Sequence, residues 1–229
     1  MKSLPIITLL IVFVSFKGFA QRLEEQTIPW QPGQEIALEL KYAQDIQIKT
    51  WDKSEVSLQV SISINNDELN DSWSILSKST DSQIKVVSDI DFSDGNYCGD
   101  CKGRNYSTNN RSVCSQITYN IFVPRSAVLQ VETISGDMTV QGVAASLYAK
   151  SISGFVDVDW PSQQGATVTM KSVTGEVYTN LDLVIDESEA EKNRRSPIGW
   201  EIEATVAGGG DSIELESISN DVYFRKAGS

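Results

Sequence analysis

One twelve-residue pattern is repeated four times in the second half of the chain. The copies cover residues 129–140, 147–158, 168–179 and 213–224, which are called units 1 to 4 below. Their starts lie 18, 21 and 45 residues apart. Self-similarity at about 20 residues is typical of solenoids, in which each unit buries its apolar side chains against its neighbours. The repeat therefore predicts an all-β fold with stacked β-solenoid or β-helix-like units over residues 126–229.

Each unit contains two short stretches of alternating apolar and polar residues, separated by a corner. Alternation with a period of two is typical of a half-buried strand. At the corner, the motif [Thr/Ser]-[Ile/Val]-[Ser/Thr]-[Gly/Asn] reverses the parity of the apolar positions. Gly and Asn adopt positive φ at low cost, so we expect the chain to turn there from one sheet face to the next. The small hydroxyl residues beside the corner are expected to stack as ladders. The corner residues are Gly136, Gly154, Gly175 and Asn220.

The interval before unit 4 corresponds to about two periods plus an insertion. Residues 200–206 have the pattern of a degenerate strand, whereas residues 186–197 are polar and charged and predict a solvated loop. The alternative for the whole region is a set of ordinary hairpins with Ser-Gly turns. Hairpin turns do not normally repeat a complete flanking pattern, which favours the solenoid.

Residues 1–20 have the pattern of a secretory signal peptide. Lys2 supplies a positive charge, residues 4–16 are an apolar run, and Gly18 and Ala20 are small residues before a cleavage position. A membrane anchor is the alternative, but the run is short for a transmembrane span. We therefore expect an exported protein of the periplasm or cell surface, with no transmembrane segment after cleavage.

The charge and the missing histidines exclude several classes of function. The formal net charge is −12, which opposes binding to nucleic acids and to anionic lipids. The chain has no His, so it cannot contain a Ser-His or Cys-His nucleophile system. It also has no phosphate-binding loop and no dinucleotide fingerprint. The sequence predicts a non-enzymatic protein without a cofactor.

Residues 21–125 are expected to form an N-terminal antiparallel β layer, either separate from the solenoid or continuous with it. Such a layer would cap the exposed edge of the repeats. Residues 66–75 favour a helix or turn, and the five tryptophans are expected to pack in the core rather than to form sugar platforms. The apolar alternation predicts strands at residues 35–41, 46–51, 56–64, 83–90 and 116–123.

Three cysteines lie in one polar stretch: Cys98, Cys101 and Cys114. A disulfide between Cys114 and one of the other two is favoured in an exported protein. Pairing of the two adjacent cysteines would instead leave Cys114 free. A zinc site would need a carboxylate as its fourth ligand, because the chain has neither a His nor a fourth Cys. A reactive thiol is the remaining alternative.

Residues 89–100 partly match a calcium-binding loop. Asp89, Asp91 and Ser93 occupy the first, third and fifth positions, and Asp100 stands where such a loop has a bidentate Glu. Asp94 replaces the required Gly. Calcium is therefore one interpretation of this segment, and a solvated acidic loop without a metal is the favoured one.

Five segments of the chain resemble the bacterial "putative adhesin" β-strand-repeat family, and together they span most of the residues after the predicted leader. The resemblance implies an exported, β-solenoid-like envelope protein, and it brings no catalytic residues with it. The loop between Cys98 and Cys114 lies outside the pattern. The segments are residues 46–53, 119–124, 151–158, 173–181 and 208–226.

We therefore predict a binding or structural module of the cell envelope. Repeat scaffolds present long faces that suit extended ligands, so the expected partners are a glycan, peptidoglycan or an envelope protein. One alternative is a polysaccharide-cleaving enzyme on a β-helix, which needs a cleft with converging acidic and basic side chains. Another is an envelope-stress sensor that binds cationic peptides through the acidic surface.

Overall fold

The computed structural model describes residues 22–95, 101–108, 111–143, 145–185 and 199–228. In these residues the protein is all-β and contains no α-helix; one short 3₁₀ turn is present. The strands are β1 (Arg22–Pro29), β2 (Glu35–Leu40), β3 (Tyr42–Trp51), β4 (Glu55–Ile64), β5 (Trp73–Ser79), β6 (Gln83–Ile90), β7 (Arg104–Thr108), β8 (Arg111–Pro124), β9 (Leu129–Thr133), β10 (Ser135–Gln141), β11 (Leu147–Ser151), β12 (Val156–Trp160), β13 (Ala166–Ser172), β14 (Val177–Thr179), β15 (Trp200–Val206), β16 (Asp211–Ser217) and β17 (Val222–Lys226).

The strands form two mixed sheets, and the described strands do not close into a barrel. Sheet A has the order β1-β4-β8-β3-β10-β12-β17-β14, with β7 paired to β8 beside this path. Sheet B has the order β15-β13-β16-β11-β9-β2-β6-β5. Each repeat unit gives its first strand to sheet B and its second strand to sheet A. The inward-facing side chains of both sheets form one continuous apolar cluster, which explains the alternation in the sequence.

Neighbouring units pair in parallel with equivalent residues aligned. Leu147 of unit 2, for example, lies opposite Leu129 of unit 1 on one side and opposite Ile213 of unit 4 on the other. In sheet A, Val156 likewise lies between Met138 and Val222. Because the register is preserved, each position of the repeat is stacked on the same position of the next unit.

The order of the units in space differs from their order in the chain. Strands β16 and β17 of unit 4 lie between those of unit 2 and unit 3, so the spatial order is 1, 2, 4, 3. Strand β15 pairs antiparallel with the outer edge of β13, which confirms a strand at residues 200–206. The interval before unit 4 therefore contains an edge strand of sheet B, β15, and the next strand, β16, lies in the interior of the same sheet.

The N-terminal half contributes strands to both sheets rather than forming one antiparallel layer. β2 and β3 pair in parallel with β9 and β10, so both sheets run across residue 125. β2–β6 and β3–β8 are also parallel pairs, whereas β1–β4, β4–β8, β5–β6 and β7–β8 are antiparallel. Apolar alternation reveals a strand but not the direction of its partner, which is why the single antiparallel layer was wrong. The division at residue 125 into two domains stays a prediction.

The five N-terminal strands predicted from alternation all occur, within β2, β3, β4, β6 and β8. β1, β5 and β7 were not predicted. In the segment predicted as helix or turn, Asn66 and Asp67 have positive φ, a short 3₁₀ helix follows at Asn70–Ser72, and β5 then begins at Trp73. The turn interpretation was therefore correct for the first part of this segment.

Three of the tryptophans donate an indole hydrogen bond to a nearby backbone carbonyl at the end of a strand. Trp30 and Trp160 are buried, and their indole N–H groups donate to the carbonyl of the residue four positions later, at 2.8 and 2.9 Å. Trp51, which is half-buried, repeats the same bond at 2.8 Å. Trp73 is buried and donates to the hydroxyl of Tyr119 at 3.2 Å. These bonds satisfy the polar tip of each ring, and the bodies of Trp30, Trp73 and Trp160 fill the core. Trp51 lies outside the core cluster and stacks on Phe122, with ring centroids 5.1 Å apart.

A buried polar cluster surrounds Tyr119 at the centre of the core. Its hydroxyl lies 2.7 Å from the Ser88 hydroxyl and accepts the bond from Trp73. Burial raises the pKa of Tyr119 to about 12, and the two hydrogen bonds oppose that rise. The phenol is therefore a neutral, fully hydrogen-bonded member of the core at ordinary pH.

In the described residues, no helix is long and apolar enough to cross a bilayer. The predicted signal peptide at residues 1–20 lies outside the described residues, and it stays a prediction.

Candidate functional site

The predicted repeat corners are joined by a ladder of buried hydroxyl groups. Each serine of this ladder accepts a hydrogen bond from the backbone N–H of its own corner and donates one to the corner carbonyl of the preceding unit in space. The ladder links unit 1 to unit 2, unit 2 to unit 4, and unit 4 to unit 3. The donated bonds are Ser151 to Gly136 (3.1 Å), Ser217 to Gly154 (2.8 Å) and Ser172 to Asn220 (2.7 Å); the accepted bonds come from Gly154 (2.9 Å), Asn220 (3.1 Å) and Gly175 (3.0 Å).

The corners are not held by the left-handed backbone that we expected at all four. Only Gly136 has positive φ, at +131°. At Gly154 a Cβ atom would lie 1.9 Å from the Gly136 carbonyl oxygen, and at Gly175 it would lie 2.3 Å from that of Asn220. Glycine is needed at these two positions because the stacked units approach closely, and not because of the local φ. Close packing at these corners is therefore a structural requirement of the stack.

Two of the predicted calcium ligands, Asp89 and Asp91, bind other groups of the protein. Asp89 belongs to β6 and forms an ion pair with Lys41 at 2.5 Å. Asp91 accepts the backbone N–H of Ser93 at 2.8 Å. Asp100 lies outside the described residues. Within the described ranges, no group of three or more His, Cys, Asp or Glu side chains could hold a metal ion. Calcium binding stays an untested prediction.

One of the two cysteine pairings proposed for Cys114 is present. Cys101 and Cys114 form a disulfide with Cα atoms 5.4 Å apart, joining the segment before β7 to β8. Cys98 lies outside the described residues. The bond closes a loop that contains β7, from which Tyr106 packs against the core.

The outer face of sheet A carries two stacked tyrosines that we call the tyrosine ladder. Tyr178 on β14 lies opposite Tyr223 on β17, with ring centroids 5.2 Å apart and planes inclined by 13°. Phe155 approaches the other side of Tyr223 edge-on, at 6.2 Å. Tyr178 is 44% exposed, and among the described strands β14 pairs only with β17. The ladder thus ends at a sheet edge with one ring partly open.

Each tyrosine of the ladder is oriented by a carboxylate two residues earlier in the chain, immediately before the strand begins. Tyr178 donates to Glu176 and Tyr223 donates to Asp221, both at 2.9 Å. These hydrogen bonds are the main reason why the pKa of each phenol is raised. The same bonds fix the ring planes, because each hydroxyl has one defined acceptor.

Beside the tyrosine ladder lies an open cleft of about 250 Å³. Arg225 binds Asp157 through two contacts across strands, with Nε 2.8 Å from Oδ1 and Nη2 against Oδ2. The guanidinium carbon of Arg225 lies 6.0 Å from the centre of the Tyr223 ring, which joins the cleft to the ladder. The cleft is lined by Thr139, Val140, Gln141, Asp157, Asp159, Arg225, Lys226 and Gly228.

Both carboxylates of the cleft are engaged by hydrogen bonds. Asp157 is held by the guanidinium of Arg225, and Asp159 accepts the backbone N–H of Gly142 at 2.8 Å. Glycoside hydrolysis needs one protonated carboxylic acid and one carboxylate facing the scissile bond. The cleft does bring acidic and basic groups together, as the enzyme alternative requires, but both carboxylates are already engaged.

No single stretch of sequence reveals this site. Asp157 and Asp159 lie on β12, the second strand of unit 2 and its continuation, whereas Arg225 and Lys226 follow unit 4 on β17. The two pairs are neighbours only because unit 4 lies beside unit 2. One signal was available: units 3 and 4 both place tyrosine at their eleventh position, after an acidic residue at the ninth. Stacked in register, those positions produce the tyrosine ladder.

No protein-family model and no curated protein matches the chain. Its structure is similar to a "putative cell adhesion protein" from Clostridium sporogenes, with a TM-score of 0.55 at 12% sequence identity, over 90% of this chain and 100% of that one. A "putative adhesin" from Bacteroides fragilis aligns over 90% of this chain and 98% of its own, at 12% identity and a TM-score of 0.27. At this identity the Clostridium structure shows a shared fold and nothing about activity. The TM-score of the Bacteroides structure is too low to support an argument.

Proposed function

We propose that the protein is a non-enzymatic, exported protein of the cell envelope that acts as an adhesin-like binding module. Its binding surface is the outer face of sheet A, where the tyrosine ladder meets the cleft. The observation that carries the proposal is that Asp157 of unit 2 and Arg225 beside unit 4 form one fixed polar pair next to stacked aromatic rings. Fixed polar groups beside an accessible aromatic surface are characteristic of ligand-binding sites.

The disulfide supports export. Bonds such as Cys101–Cys114 persist in the periplasm and outside the cell, where the environment is oxidising. The predicted leader at residues 1–20 agrees with this placement. The shared fold with a protein named for cell adhesion is compatible with the same compartment.

The architecture that we propose is a β-solenoid-like stack, continuous with the strands of residues 21–125. It is supported by the parallel, in-register pairing of the four units and by the hydroxyl ladder that joins their corners. Such a stack presents flat faces several strands wide, which suit extended ligands. The ligand classes in question are a glycan, peptidoglycan or another envelope protein.

A glycan array tests the proposal. Residues 21–229 are purified and applied with and without calcium, together with Tyr178→Ala and Arg225→Ala. We expect reproducible binding to one glycan class that both substitutions weaken. Binding that neither substitution changes would exclude the outer face of sheet A, and release of reducing ends from a bound glycan would support the enzyme alternative. A blank array at high protein concentration would contradict glycan binding and favour a protein partner or a structural function.

A further inference from the structure

The open end of the tyrosine ladder is an apolar platform of the size of one ring. Tyr223 covers one side of Tyr178, while Tyr178 remains 44% exposed on a strand that pairs only with β17 among the described strands. Its hydroxyl is held by Glu176, so the ring is oriented before any ligand arrives. A pyranose ring has an apolar face of C–H groups that can pack against such a surface, and a rigid aromatic ring loses little conformational freedom on binding.

The cleft supplies polar groups at a distance that one oligosaccharide can span. Tyr178 and Asp157 are separated by one intervening strand, β17, and therefore by about two strand spacings, or roughly 10 Å. Most of this polar surface comes from Arg225, whose side chain is 49% exposed and whose guanidinium has five N–H donors, whereas Asp157 is only 13% exposed. Sugar hydroxyls are both donors and acceptors, so they can bond to both members of a fixed pair.

The charge around the site opposes acidic ligands. Glu176, Asp221, Asp157 and Asp159 outnumber the two basic groups, Arg225 and Lys226. The positive charge of Arg225 is already compensated by Asp157. The whole chain adds a formal net charge of −12. A uronate or sulfated polymer would therefore meet like charge within about one Debye length, roughly 8 Å at physiological salt.

From these three observations we infer that this face binds a neutral glycan. A pyranose ring stacks on Tyr178, and the chain extends across the strands towards β12, where its hydroxyls bond to Asp157 and Arg225. This inference rests on the proposed binding function of sheet A and names its ligand class. We also attribute the selectivity against acidic glycans to Asp157, because its negative charge neutralises the positive charge of Arg225.

Calorimetric titration of residues 21–229 with three defined hexasaccharides tests the ligand class. The neutral probes are hexa-N-acetylchitohexaose and cellohexaose, and the acidic probe is hexagalacturonate. We expect measurable binding of a neutral probe and none of the acidic one. Tyr178→Ala should weaken the neutral complex by about tenfold or more, whereas Tyr178→Phe keeps the ring and should stay within about threefold. Tyr148→Ala, which removes a tyrosine from the outer face of sheet B, is the matched control and should change nothing.

Asp157→Asn tests the origin of the selectivity. The substitution keeps the shape of the side chain but leaves the charge of Arg225 uncompensated. We expect hexagalacturonate, which the wild-type protein does not bind measurably, to bind to this variant with a measurable affinity, and this binding to disappear at high salt. The melting temperature of each variant shows whether its fold is intact. An unchanged affinity for the acidic probe in a folded variant would contradict the assigned selectivity.

The possible failures distinguish this inference from the proposed function. Preference of the wild-type protein for hexagalacturonate, or neutral binding that Tyr178→Ala leaves intact, would overturn the inference and leave an adhesin-like module in place. Array binding that is confined to acidic glycans would likewise overturn the neutral-glycan inference and leave the adhesin-like module in place. Loss of a protein partner in Tyr178→Ala, with no glycan bound, would show that the face recognises protein instead. The absence of any ligand in every assay would overturn both.

Discussion

Replacing Ser217 by alanine removes the hydroxyl that joins unit 4 to unit 2. Ser217 is fully buried; it donates to the carbonyl of Gly154 at 2.8 Å and accepts the N–H of Asn220 at 3.1 Å. Among the side chains that the structure describes, no other provides an equivalent bridge at this corner. The substitution therefore leaves one buried carbonyl and one corner N–H without their partner.

The expected cost follows from these two groups. A buried acceptor that loses its partner costs about 1–3 kcal/mol, and the Asn220 N–H is only partly buried, so Ser217→Ala should lower the free energy of unfolding by about 1–3 kcal/mol. Ser212 lies on the same strand but is exposed, and its hydroxyl makes no bond of this kind. Ser212→Ala is therefore the matched control, with an expected change within about 0.5 kcal/mol.

Urea unfolding followed by tryptophan fluorescence measures both variants. We expect the midpoint to fall for Ser217→Ala with an unchanged slope, since the surface exposed on unfolding is the same. Equal midpoints for Ser217→Ala and Ser212→Ala would refute the hydroxyl ladder as a source of stability. They would also remove the physical reason that we give for serine at this position of the repeat.

Three further predictions concern the corner, the core and the disulfide. Gly154→Ala should destabilise the fold by several kcal/mol, because its Cβ would lie 1.9 Å from the Gly136 carbonyl oxygen; a wild-type melting temperature would contradict this. The pKa of Tyr119 is about 12 in the folded protein and about 10 in the unfolded chain. Above pH 10 the phenol ionises more readily in the unfolded chain, so the free energy of unfolding should stay unchanged below pH 10 and fall by about 2–3 kcal/mol by pH 12. Denaturation across that range measures it, and Tyr119→Phe should remove this part of the pH dependence. Reduction of Cys101–Cys114 should cost about 3 kcal/mol in urea unfolding, and Cys101→Ser should make the protein insensitive to the reductant.

The strands were predictable where they are half-buried, because alternation is a local property of the sequence. The missed strands show the limit of that signal. β1 alternates between half-buried and exposed positions over most of its length, and β5 is exposed over most of its length. Edge strands bury few side chains, so they leave only a weak apolar pattern. At Gly154 and Gly175, close packing was mistaken for a requirement for positive φ.

The order of the units and the binding face could not be predicted from the sequence. All four units carry nearly the same corner, so nothing local determines which unit becomes the neighbour of which. The pair of Asp157 and Arg225 spans 68 residues and exists only in the observed order. Repetition thus predicts the layers of the fold but leaves its long-range contacts undetermined.

The insertion of unit 4 between units 2 and 3 makes the last strands of the chain interior strands. A chain synthesised from its N-terminus presents unit 3 to unit 2 before the strands that separate them exist. The two units carry the same serine and glycine at their corners, so direct pairing of β11 with β13 would satisfy the same hydroxyl bonds. This premature register is a competitor of the native one, and non-local parallel pairing is slow to form. We therefore expect the C-terminal residues to limit the rate of folding. Strand β16 must enter between β11 and β13, and these two strands can pair with each other before β16 is available.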